Sequence, residues 1–569
     1  MLRCIEQEKI RGMIKMNEKN TKVHIEDILT NYCLWTKANA DSESFREIKT
    51  IVKAVDPSLE INQTHTEDVK ATDDNISSLL SNEVEFSGGR KRKGAYYTPS
   101  DVVNYTTYNL FFNYLNESID VQVLPIETIV NRKYNLNKVL DLCVNKTFMD
   151  PTCGAGEFTL AVLKTKVEFL RLIGEDTPKN ILAAISTVYG NDIDENATLV
   201  SKLRILFYIY QSKIVPLDTA LYKVVNSNFS NYDFIFDKMP SNQTFDLILG
   251  NPPYVEYRTL DHKPVTGYGN VYADVMHNTN AHLNKDGAIA YIVPISFSST
   301  LRMKKIRDEE LDSFSKLIAI HFADRPDSLF SSVHQKVEII IASGFKQPGN
   351  DVYTSNYIYW YKNERPHLFD NISIIKNDDY DGVSLAKYGD SIQKNIYKKV
   401  TDFSNRQLSD FLIKNNKNDY DGIYLSKRAA FYIKSFLNDP KSHEYDHYMV
   451  NQISPKALLA VLNSTLFWMY WVIVSDGWHL TNKELNNFTL PLLDQNTDKQ
   501  LSDLADQLMD RLEETKVYVG TAQTDYEYKH KYALDILDKI DDILGQIYDL
   551  SPKEVAYVKS YERKYRGGK

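Results

Sequence analysis

The stretch "FDLILGNPPYVEY", residues 245–257, reads as a short apolar strand that ends at an asparagine, two prolines and a tyrosine. Proline cannot donate a backbone hydrogen bond to a sheet and fixes its own φ, so two consecutive prolines end the strand and keep the following chain rigid. In α/β proteins, ligands bind at the carboxyl ends of the strands. The stretch therefore predicts a rigid Asn-Pro-Pro-Tyr step at a ligand-binding edge of a sheet.

Apolar strands alternate with amphipathic helices on both sides of this stretch, from about residue 94 to residue 345. Such alternation predicts a mainly parallel sheet with helices on both faces. The predicted strands are residues 147–150, 188–193, 245–250, 288–294, 317–322 and 337–343.

Composition sets broad limits on the function. The chain has 569 residues, which is too long for one ordinary core, and its net charge of −9 gives no global sign of a nucleic-acid binder. The four cysteines form no C-x-x-C pair, so we predict no metal site and a cytoplasmic location. The apolar segment 457–474 is interrupted by polar residues, which predicts a buried helix and no membrane partner.

Two further strand ends carry polar or glycine-rich motifs. In "MDPTCGAGEF", residues 149–158, Asp150 ends a strand, and a Gly-x-Gly turn (Gly154, Gly156) leads into a helix, where a ligand can approach the backbone closely. In "YGNDID", Asp192 ends the next strand, where an acid can accept hydrogen bonds from a ribose. Taken singly, these motifs also fit a plain turn and a solvated acid.

In order along the chain, D-P-x-C-G-x-G, N-D-I-D and N-P-P-Y together resemble the S-adenosylmethionine-dependent amino-methyltransferases of DNA. The upstream "GAYYTP", residues 94–99, resembles the motif that closes over the methionine part of the cofactor in adenine methyltransferases of the gamma arrangement. The resemblance covers about residues 90–493 and is closest to the Eco57I/TaqI-like adenine-N6 methyltransferases.

The resemblance implies an α/β fold: a Rossmann-like methyltransferase domain with a mixed seven-stranded sheet, an N-terminal helical segment and a C-terminal α+β target-recognition domain. We divide the chain accordingly into an N-terminal helical region (1–90), the catalytic domain (91–345), the DNA-binding target-recognition domain (346–510) and a C-terminal helical region (511–569).

The resemblance also implies which residues bind the S-adenosylmethionine cofactor. Asn228 and Phe229 stand where the family usually has Asp-Phe around the cofactor's adenine, and asparagine in place of aspartate is a departure from the pattern. The full predicted set is Tyr96, Tyr97, Thr98, Pro99, Asp150, Pro151, Gly154, Gly156, Asp192, Ile193, Asn228 and Phe229.

The predicted catalytic residues are Asn251, Pro252, Pro253 and Tyr254. The exocyclic amine of adenine is a poor nucleophile because its lone pair is delocalised into the ring. The side-chain oxygen of Asn251 and the carbonyl of Pro252 would accept the amine hydrogens and localise that pair. Tyr254 would stack on the flipped-out base, with Phe330 on its other side and His334 as a competitor for that role.

The implied function is methyl transfer to adenine N6 in a specific sequence of double-stranded DNA, within a restriction-modification or phage-defence system that includes other subunits. The same motif serves methyltransferases that act on RNA or on a protein glutamine, and cytosine-N4 also fits the chemistry. A further alternative is a fused restriction-modification enzyme with an N-terminal nuclease around Glu47 and Lys49.

Overall fold

The computed structural model describes residues 2–39, 42–61, 70–86, 98–115, 135–237, 243–260, 262–330, 334–414, 422–521 and 524–567. Four helices precede the sheet: α1 (Leu2–Asn39), α2 (Ser42–Val55), α3 (Ile76–Phe86) and α4 (Ser100–Leu115). The description of α1 to α3 agrees with the predicted helical character of the N-terminal region. The predicted domain boundaries remain predictions.

Helices and strands then alternate, as the sequence predicted. In chain order they are α5 (Leu136–Val144), β1 (Phe148–Asp150), α6 (Glu157–Leu172), α7 (Pro178–Ser186), β2 (Val188–Asn191), α8 (Glu195–Ser212), α9 (Thr219–Ser227), β3 (Phe229–Ser230), β4 (Phe245–Gly250), α10 (Val271–Asn280), β5 (Leu283–Pro294), α11 (Ser296–Ser299), α12 (Lys304–Ser313), β6 (Phe314–Phe322), β7 (Val337–Phe345), β8 (Asp351–Ile358) and β9 (Ile374–Lys376). The helices α1, α2 and α3 contact α8.

These strands form one mixed sheet in the order β3-β2-β1-β4-β5-β7-β6-β8-β9. Strands β3, β2, β1, β4 and β5 are parallel, and β7 is antiparallel to both β5 and β6. Since β7 is reversed, β6 points the same way as β4 and β5. The carboxyl ends of β1, β2, β4, β5 and β6 therefore lie at one edge of the sheet, which we call the carboxyl edge.

The Rossmann-like α/β class is confirmed, and the sheet has nine strands where seven were expected. The additional strands include β8 and β9, which extend the sheet beyond β6 to Lys376. The sequence analysis did not predict β8, because two of its fully buried positions, Thr354 and Ser355, are polar. Their hydroxyl groups donate to the carbonyl oxygens of Tyr388 and Asn356.

The chain continues through α13 (Ser391–Asp402), β10 (Leu412–Lys414), β11 (Gly422–Ser426), β12 (Ser435–Phe436) and β13 (Tyr445–Val450), and then α14 (Pro455–Asn463), α15 (Thr465–Val474), α16 (Asn482–Asn487) and α17 (Gln495–Thr515). Strands β10 to β13 form a second, antiparallel sheet in the order β10-β13-β11-β12. The short hairpin β14 (Val517–Tyr518) and β15 (Tyr526–Glu527) follows, and then α18 (Leu534–Ile547), α19 (Pro552–Ser560) and α20 (Arg563–Gly567).

The apolar segment 457–474 is the buried pair α14 and α15, as predicted. Ser464 has an extended conformation between the two helices, and its hydroxyl caps α15 by accepting a hydrogen bond from the backbone N–H of Phe467. The two helices meet at 57°. In the described part of the chain no single helix is long and apolar enough to cross a membrane, and this bent pair alone would be by length and composition.

Candidate active site

A pocket of about 370 Å³ opens at the carboxyl edge, where β1, β2 and β4 end. Its volume falls in the range of roughly 300–1,000 Å³ that is typical of small-molecule sites. Eight of the residues predicted from the sequence line it together: Thr98, Asp150, Pro151, Gly154, Asp192, Ile193, Asn251 and Pro253.

The turn after β1 is held to the end of β2 by the Asp192 side chain. One carboxylate oxygen of Asp192 accepts a hydrogen bond of 2.9 Å from the backbone N–H of Gly154, and the other accepts one of 2.9 Å from the N–H of Asp194. Asp194 then caps α8 by accepting from the N–H of Asn196. The two strand ends therefore form one connected wall of the pocket.

Both glycines of the turn have positive φ, but their surroundings differ. Gly154 has φ +54°, and a Cβ there would meet no atom within 4 Å, so the backbone borders open space. Gly156 has φ +84°, and its Cβ would lie 2.7 Å from the Ser201 hydroxyl oxygen. Gly156 therefore permits close packing at the start of α6, whereas Gly154 keeps the pocket open.

Asp150 is the most deeply buried of the predicted acidic residues in the pocket, with 1% of its surface exposed. Burial raises the pKa of its carboxyl well above the ordinary value, a hydrogen bond from the Thr152 N–H opposes that shift, and the negative charge of Asp192 adds to it. Burial and a neighbouring carboxylate both favour the protonated form of a carboxyl group. The site therefore holds the Asp150 carboxyl neutral to a higher pH than a free aspartate.

Residues 232–236 form a wall that the sequence analysis missed. Ile193, from the predicted set, is 64% exposed at the pocket, and Phe236 is 51% exposed on this wall. The Asp233 carboxylate accepts hydrogen bonds from the N–H groups of Ile235 and Phe236, which fixes the turn. Asp233 and Phe234 are an Asp-Phe dipeptide that lines the pocket, and the sequence analysis did not single it out.

The structure does not bring Asn228 and Phe229 into the pocket. Asn228 ends α9, and its side-chain amide donates to the carbonyl oxygens of Ser186 (3.2 Å) and Val188 (3.0 Å). The Phe229 ring packs over Gly190, where a Cβ would lie 2.6 Å from a ring carbon. Both side chains serve the packing of β2 and β3, and the chain must continue to residues 232–236 before it reaches the pocket.

Asn251 is held by hydrogen bonds at both ends of its amide. Its nitrogen donates to the Thr98 hydroxyl at 3.0 Å, and its oxygen accepts from the Tyr254 hydroxyl at 2.6 Å. The Tyr254 hydroxyl also lies 3.0 Å from the carbonyl oxygen of Ile292 on β5. Pro252 is buried and Pro253 faces the pocket, so the step after β4 is fixed in place.

Thr98 is tied to a distant part of the chain through α4. Asp101, in the first turn of α4, forms a two-pronged pair with the Arg365 guanidinium at 2.6 and 3.0 Å. Arg365 also donates to the carbonyl oxygens of Ser328 and Leu329. We call this set of contacts the Arg365 clamp. Pro99 accepts the first helical hydrogen bond of α4 from Val103 and is not a pocket residue. Tyr96 and Tyr97 lie outside the described residues.

Phe330 is placed in the core and not in the pocket. It is 1% exposed, and its carbonyl oxygen accepts a hydrogen bond from the Ser328 hydroxyl. The alternative residue, His334, is exposed, and its Nδ1 lies 3.0 Å from the carbonyl oxygen of Asp324. Neither side chain lines the pocket that Asn251 borders, and the stacking role assigned to Phe330 stays a prediction.

Comparison with known proteins matches a family to a segment that supplies part of this pocket, from β2 to the end of β6. Residues 186–327 match the family model described as Eco57I restriction-modification methylase. The modification methylase CviBIII of Paramecium bursaria Chlorella virus NC1A is 24% identical over 213 residues, which is 37% of this chain and 45% of that protein. The type II methyltransferase M.VspI of Vibrio sp. (strain 343) is 26% identical over 165 residues, 29% of this chain and 26% of that protein.

These matches span less than half the length of each of those curated relatives. Among solved structures, the Type IIL restriction-modification enzyme MmeI in complex with DNA superposes with a TM-score of 0.52 at 15% identity, covering 86% of this chain and 81% of that chain. At this identity the likeness establishes the fold. The chain carries an Eco57I-like restriction-modification methylase domain, a family whose methyl donor is S-adenosylmethionine.

Proposed function

We propose that the protein transfers a methyl group from S-adenosylmethionine to the exocyclic N6 amine of an adenine flipped out of a specific duplex DNA sequence, as the modification enzyme of a restriction-modification or phage-defence system. One observation carries the proposal: Asn251 is fixed at the end of β4, beside the same pocket that holds Asp150, Gly154 and Asp192. An amide oxygen that can receive an amine thus borders a site suited to the methyl donor.

The cofactor wall of the pocket (Asp150, Gly154, Asp192 and Ile193) fits S-adenosylmethionine. The open space beside Gly154, next to the first turn of α6, suits a carboxylate, because a helix start offers unpaired N–H groups. Asp192 would accept from the ribose hydroxyls, and the exposed Ile193 would pack on the adenine ring. When bound, the cofactor supplies an electrophilic methyl group on a sulfonium ion.

The base wall would receive the target amine; it consists of Thr98 and Asn251, which line the pocket, and of Pro252 and Tyr254, which lie beside the pocket lining. Asn251 donates its amide N–H to Thr98, and this bond orients the amide so that its oxygen remains the acceptor. That oxygen and the Pro252 carbonyl would each accept one amine hydrogen, which localises the nitrogen lone pair toward the methyl group. The residues act by positioning and by pre-oriented dipoles, so no strong base is required.

The Tyr254 hydroxyl occupies the acceptor that the amine would use. It donates to Asn251 at 2.6 Å and has the Ile292 carbonyl oxygen at 3.0 Å as an alternative acceptor. Because a phenol carries one hydrogen, it serves one acceptor at a time. When the base enters, the hydroxyl would turn to Ile292, leaving the Asn251 oxygen to the amine and the ring to stack on the base.

We do not propose a nuclease in the described N-terminal residues. Glu47 and Lys49 both lie on α2, and residues two apart on a helix point to different sides. The Lys49 ammonium instead lies over the Phe45 ring, at 4.9 Å from its centroid. These contacts are those of a helix surface and do not form a metal-binding nuclease site.

The test is methyl transfer from labelled S-adenosylmethionine to unmethylated duplex DNA, RNA and bacterial protein extract, with product nucleosides identified by mass spectrometry. We expect N6-methyladenine in DNA, and an Asn251→Ala variant that is slower by about 10²–10³-fold. N4-methylcytosine would overturn the adenine assignment. Label in RNA or protein alone would overturn the DNA assignment.

A further inference from the structure

Three cationic side chains converge on one indole ring outside the pocket. The ring of Trp478 has the Arg325 guanidinium at 5.8 Å, the Lys336 ammonium at 4.8 Å and the Arg428 guanidinium at 5.5 Å from its centroid. We call these four residues the Trp478 cluster. They come from three separate parts of the chain: the β6–β7 connection, the segment after β11 and the loop after α15.

The loop that carries Trp478 is rigidly built. The Asp476 carboxylate accepts hydrogen bonds from the backbone N–H groups of Trp478 and His479, at 2.9 and 2.8 Å. Gly477 has φ +70°, and a Cβ there would lie 3.1 Å from the Lys336 side chain, so the glycine lets Lys336 cross the loop. The Trp478 carbonyl oxygen accepts from the Ala429 N–H, which joins the loop to the segment after β11.

The charges of the cluster are only partly neutralised inside the protein. Lys336 pairs with Asp324 at 3.1 Å, and Arg428 reaches Glu444 only at 3.5 Å. Arg325 is exposed and pairs with no carboxylate among the residues that the structure describes. The nearby Asp476 is engaged by His479 at 2.7 Å. Arg325 therefore directs its charge at solvent, and the charge of exposed Arg428 is offset only in part by the longer pair with Glu444.

Stacking on an indole suits an arginine that binds a phosphate. A guanidinium that lies within about 6 Å of an indole ring is attracted to the ring electrostatically and can still donate N–H groups to an anion. The aromatic ring also limits the rotamers of the arginine, so less conformational entropy is lost when the anion binds. The arrangement fits a phosphodiester better than it fits a simple solvated surface.

The position of the cluster agrees with a role in binding the substrate. Arg325 follows the carboxyl end of β6, at the same edge of the sheet as Asn251 after β4. Strands β5 and β7 lie between them, so the two strand ends are separated by three strand spacings, about 14 Å. Over that length a DNA duplex presents several phosphates on each strand.

We propose that the Trp478 cluster is a contact for the phosphate backbone of the duplex DNA that flanks the target base. The inference rests on the proposed function, which makes DNA the substrate. It adds the surface that positions the duplex beside the pocket, and it assigns Arg325 and Arg428 as the phosphate-binding groups. Trp478 supports both guanidinium groups, and Lys336 adds positive charge beneath them.

The test is the salt dependence of binding to a labelled duplex of random sequence, which needs no knowledge of the target site. Affinities are measured between roughly 50 and 200 mM salt. Arg325→Ala and Arg428→Ala should each reduce the slope of log affinity against log salt by about one, and the double variant by about two. Cofactor affinity and melting temperature should stay unchanged, which shows that the variants are folded.

Arg171→Ala is the matched control. Arg171 is an exposed arginine in the last turn of α6, and α6 runs about 24 Å away from the pocket toward the opposite edge of the sheet. Its loss removes the same charge from the protein but should leave the slope at the wild-type value. A slope that falls equally in this variant would reduce the effect to net charge and overturn the proposal.

Tryptophan fluorescence supplies a second readout. Of the five tryptophans, Trp360, Trp468 and Trp471 are fully buried, whereas Trp35 on α1 and Trp478 are half-buried, so the readout is the quenching that the wild type shows beyond that of Trp478→Phe. DNA should protect the wild type from iodide quenching, and this protection should be lost in Trp478→Phe. If the wild type binds DNA while the arginine variants keep its slope and Trp478→Phe keeps its protection, the cluster is not a contact and the proposed function still stands. If the wild type binds S-adenosylmethionine but no duplex DNA, both proposals are wrong.

Discussion

The cofactor wall and the base wall of the pocket are assembled in different ways. In the cofactor wall, Asp150, Gly154 and Asp192 sit on the ends of two adjacent strands, and one hydrogen bond between neighbouring turns joins them. In the base wall, Asn251 depends on Thr98, 153 residues away, and α4 is held by the Arg365 clamp across 264 residues. Backbone motifs therefore define the first wall, whereas tertiary contacts define the second.

Because the two walls are held together differently, substitutions in them should change different measured quantities. Changes in the cofactor wall should act on cofactor affinity, because the side chains themselves are proposed to touch the ligand. Changes around the base wall should act on the rate of transfer, because distant residues set the position of Asn251. Four sets of variants can separate effects on cofactor affinity from effects on the transfer rate; they are taken in decreasing order of the change expected.

Asp192→Ala should weaken S-adenosylmethionine binding by about 10–100-fold, since it removes the proposed ribose acceptor and frees the turn at Gly154. Titration calorimetry measures the change. Asp218→Ala is the control: it removes the cap of α9, outside the pocket, and should cost about 1 kcal/mol of unfolding free energy while leaving the affinity within twofold. Equal affinities for the two variants would contradict the role of Asp192.

A pair of phenylalanine variants decides which Asp-Phe-like position serves the cofactor. Phe234 lines the pocket, so Phe234→Leu should lower cofactor affinity by about two- to tenfold through loss of aromatic contact. Phe229 packs under β2, so Phe229→Leu should cost about 1 kcal/mol of stability and leave affinity unchanged. The reverse pattern would restore the sequence-based assignment of Asn228 and Phe229.

The Arg365 clamp should act on the rate of transfer. Arg365→Lys keeps the charge but loses the two-pronged pairing with Asp101, so kcat should fall by about threefold while cofactor affinity stays constant. Steady-state kinetics separates kcat from KM. Recovery of kcat in an Asp101→Arg, Arg365→Asp double exchange would support positioning, and a loss of cofactor affinity in Arg365→Lys would contradict it.

Asp150 should give the smallest effect, visible as a pH dependence of stability. Its folded pKa lies well above the ordinary 3.8, so the folded protein binds this proton more tightly than the unfolded chain. The contribution of Asp150 to the unfolding free energy should therefore fall as pH rises from 3.8 through the folded pKa, so the unfolding free energy of the wild type should fall relative to that of Asp150→Asn over that range. Urea unfolding at a series of pH values measures this, and parallel profiles would contradict the burial of a charge at Asp150.

The sequence predicted those parts of the molecule that depend on local patterns. The six predicted strands are present because each combines an apolar run with a strand end marked by glycine, proline or an acid. Seven of the eight predicted site residues in the pocket lie there for the same reason: they end or follow strands whose carboxyl ends meet at one edge. The eighth, Thr98, precedes α4 and is joined to the site by its hydrogen bond with Asn251.

What the sequence did not predict depends on contacts between distant residues. Strand β3 has only two residues, which are too few to show a periodic pattern. Strand β8 has buried positions with hydroxyl side chains, so its sequence does not read as an apolar strand. The side-chain amide of Asn228 donates to the nearby carbonyl groups of Ser186 and Val188. Its resemblance to the family motif therefore did not predict that it lies outside the pocket lining. No local pattern could show that Phe330 packs into the core or that Arg365 joins Asp101.

We propose above all that Asn251 accepts the target amine for methyl transfer and does not bind the cofactor. The most direct measurement is single-turnover methyl transfer to DNA by Asn251→Ala that has been loaded with labelled S-adenosylmethionine, beside the wild type under the same conditions. We predict that both proteins retain the cofactor equally and that only the wild type transfers its methyl group at an appreciable rate. Transfer at the wild-type rate by Asn251→Ala would contradict the account.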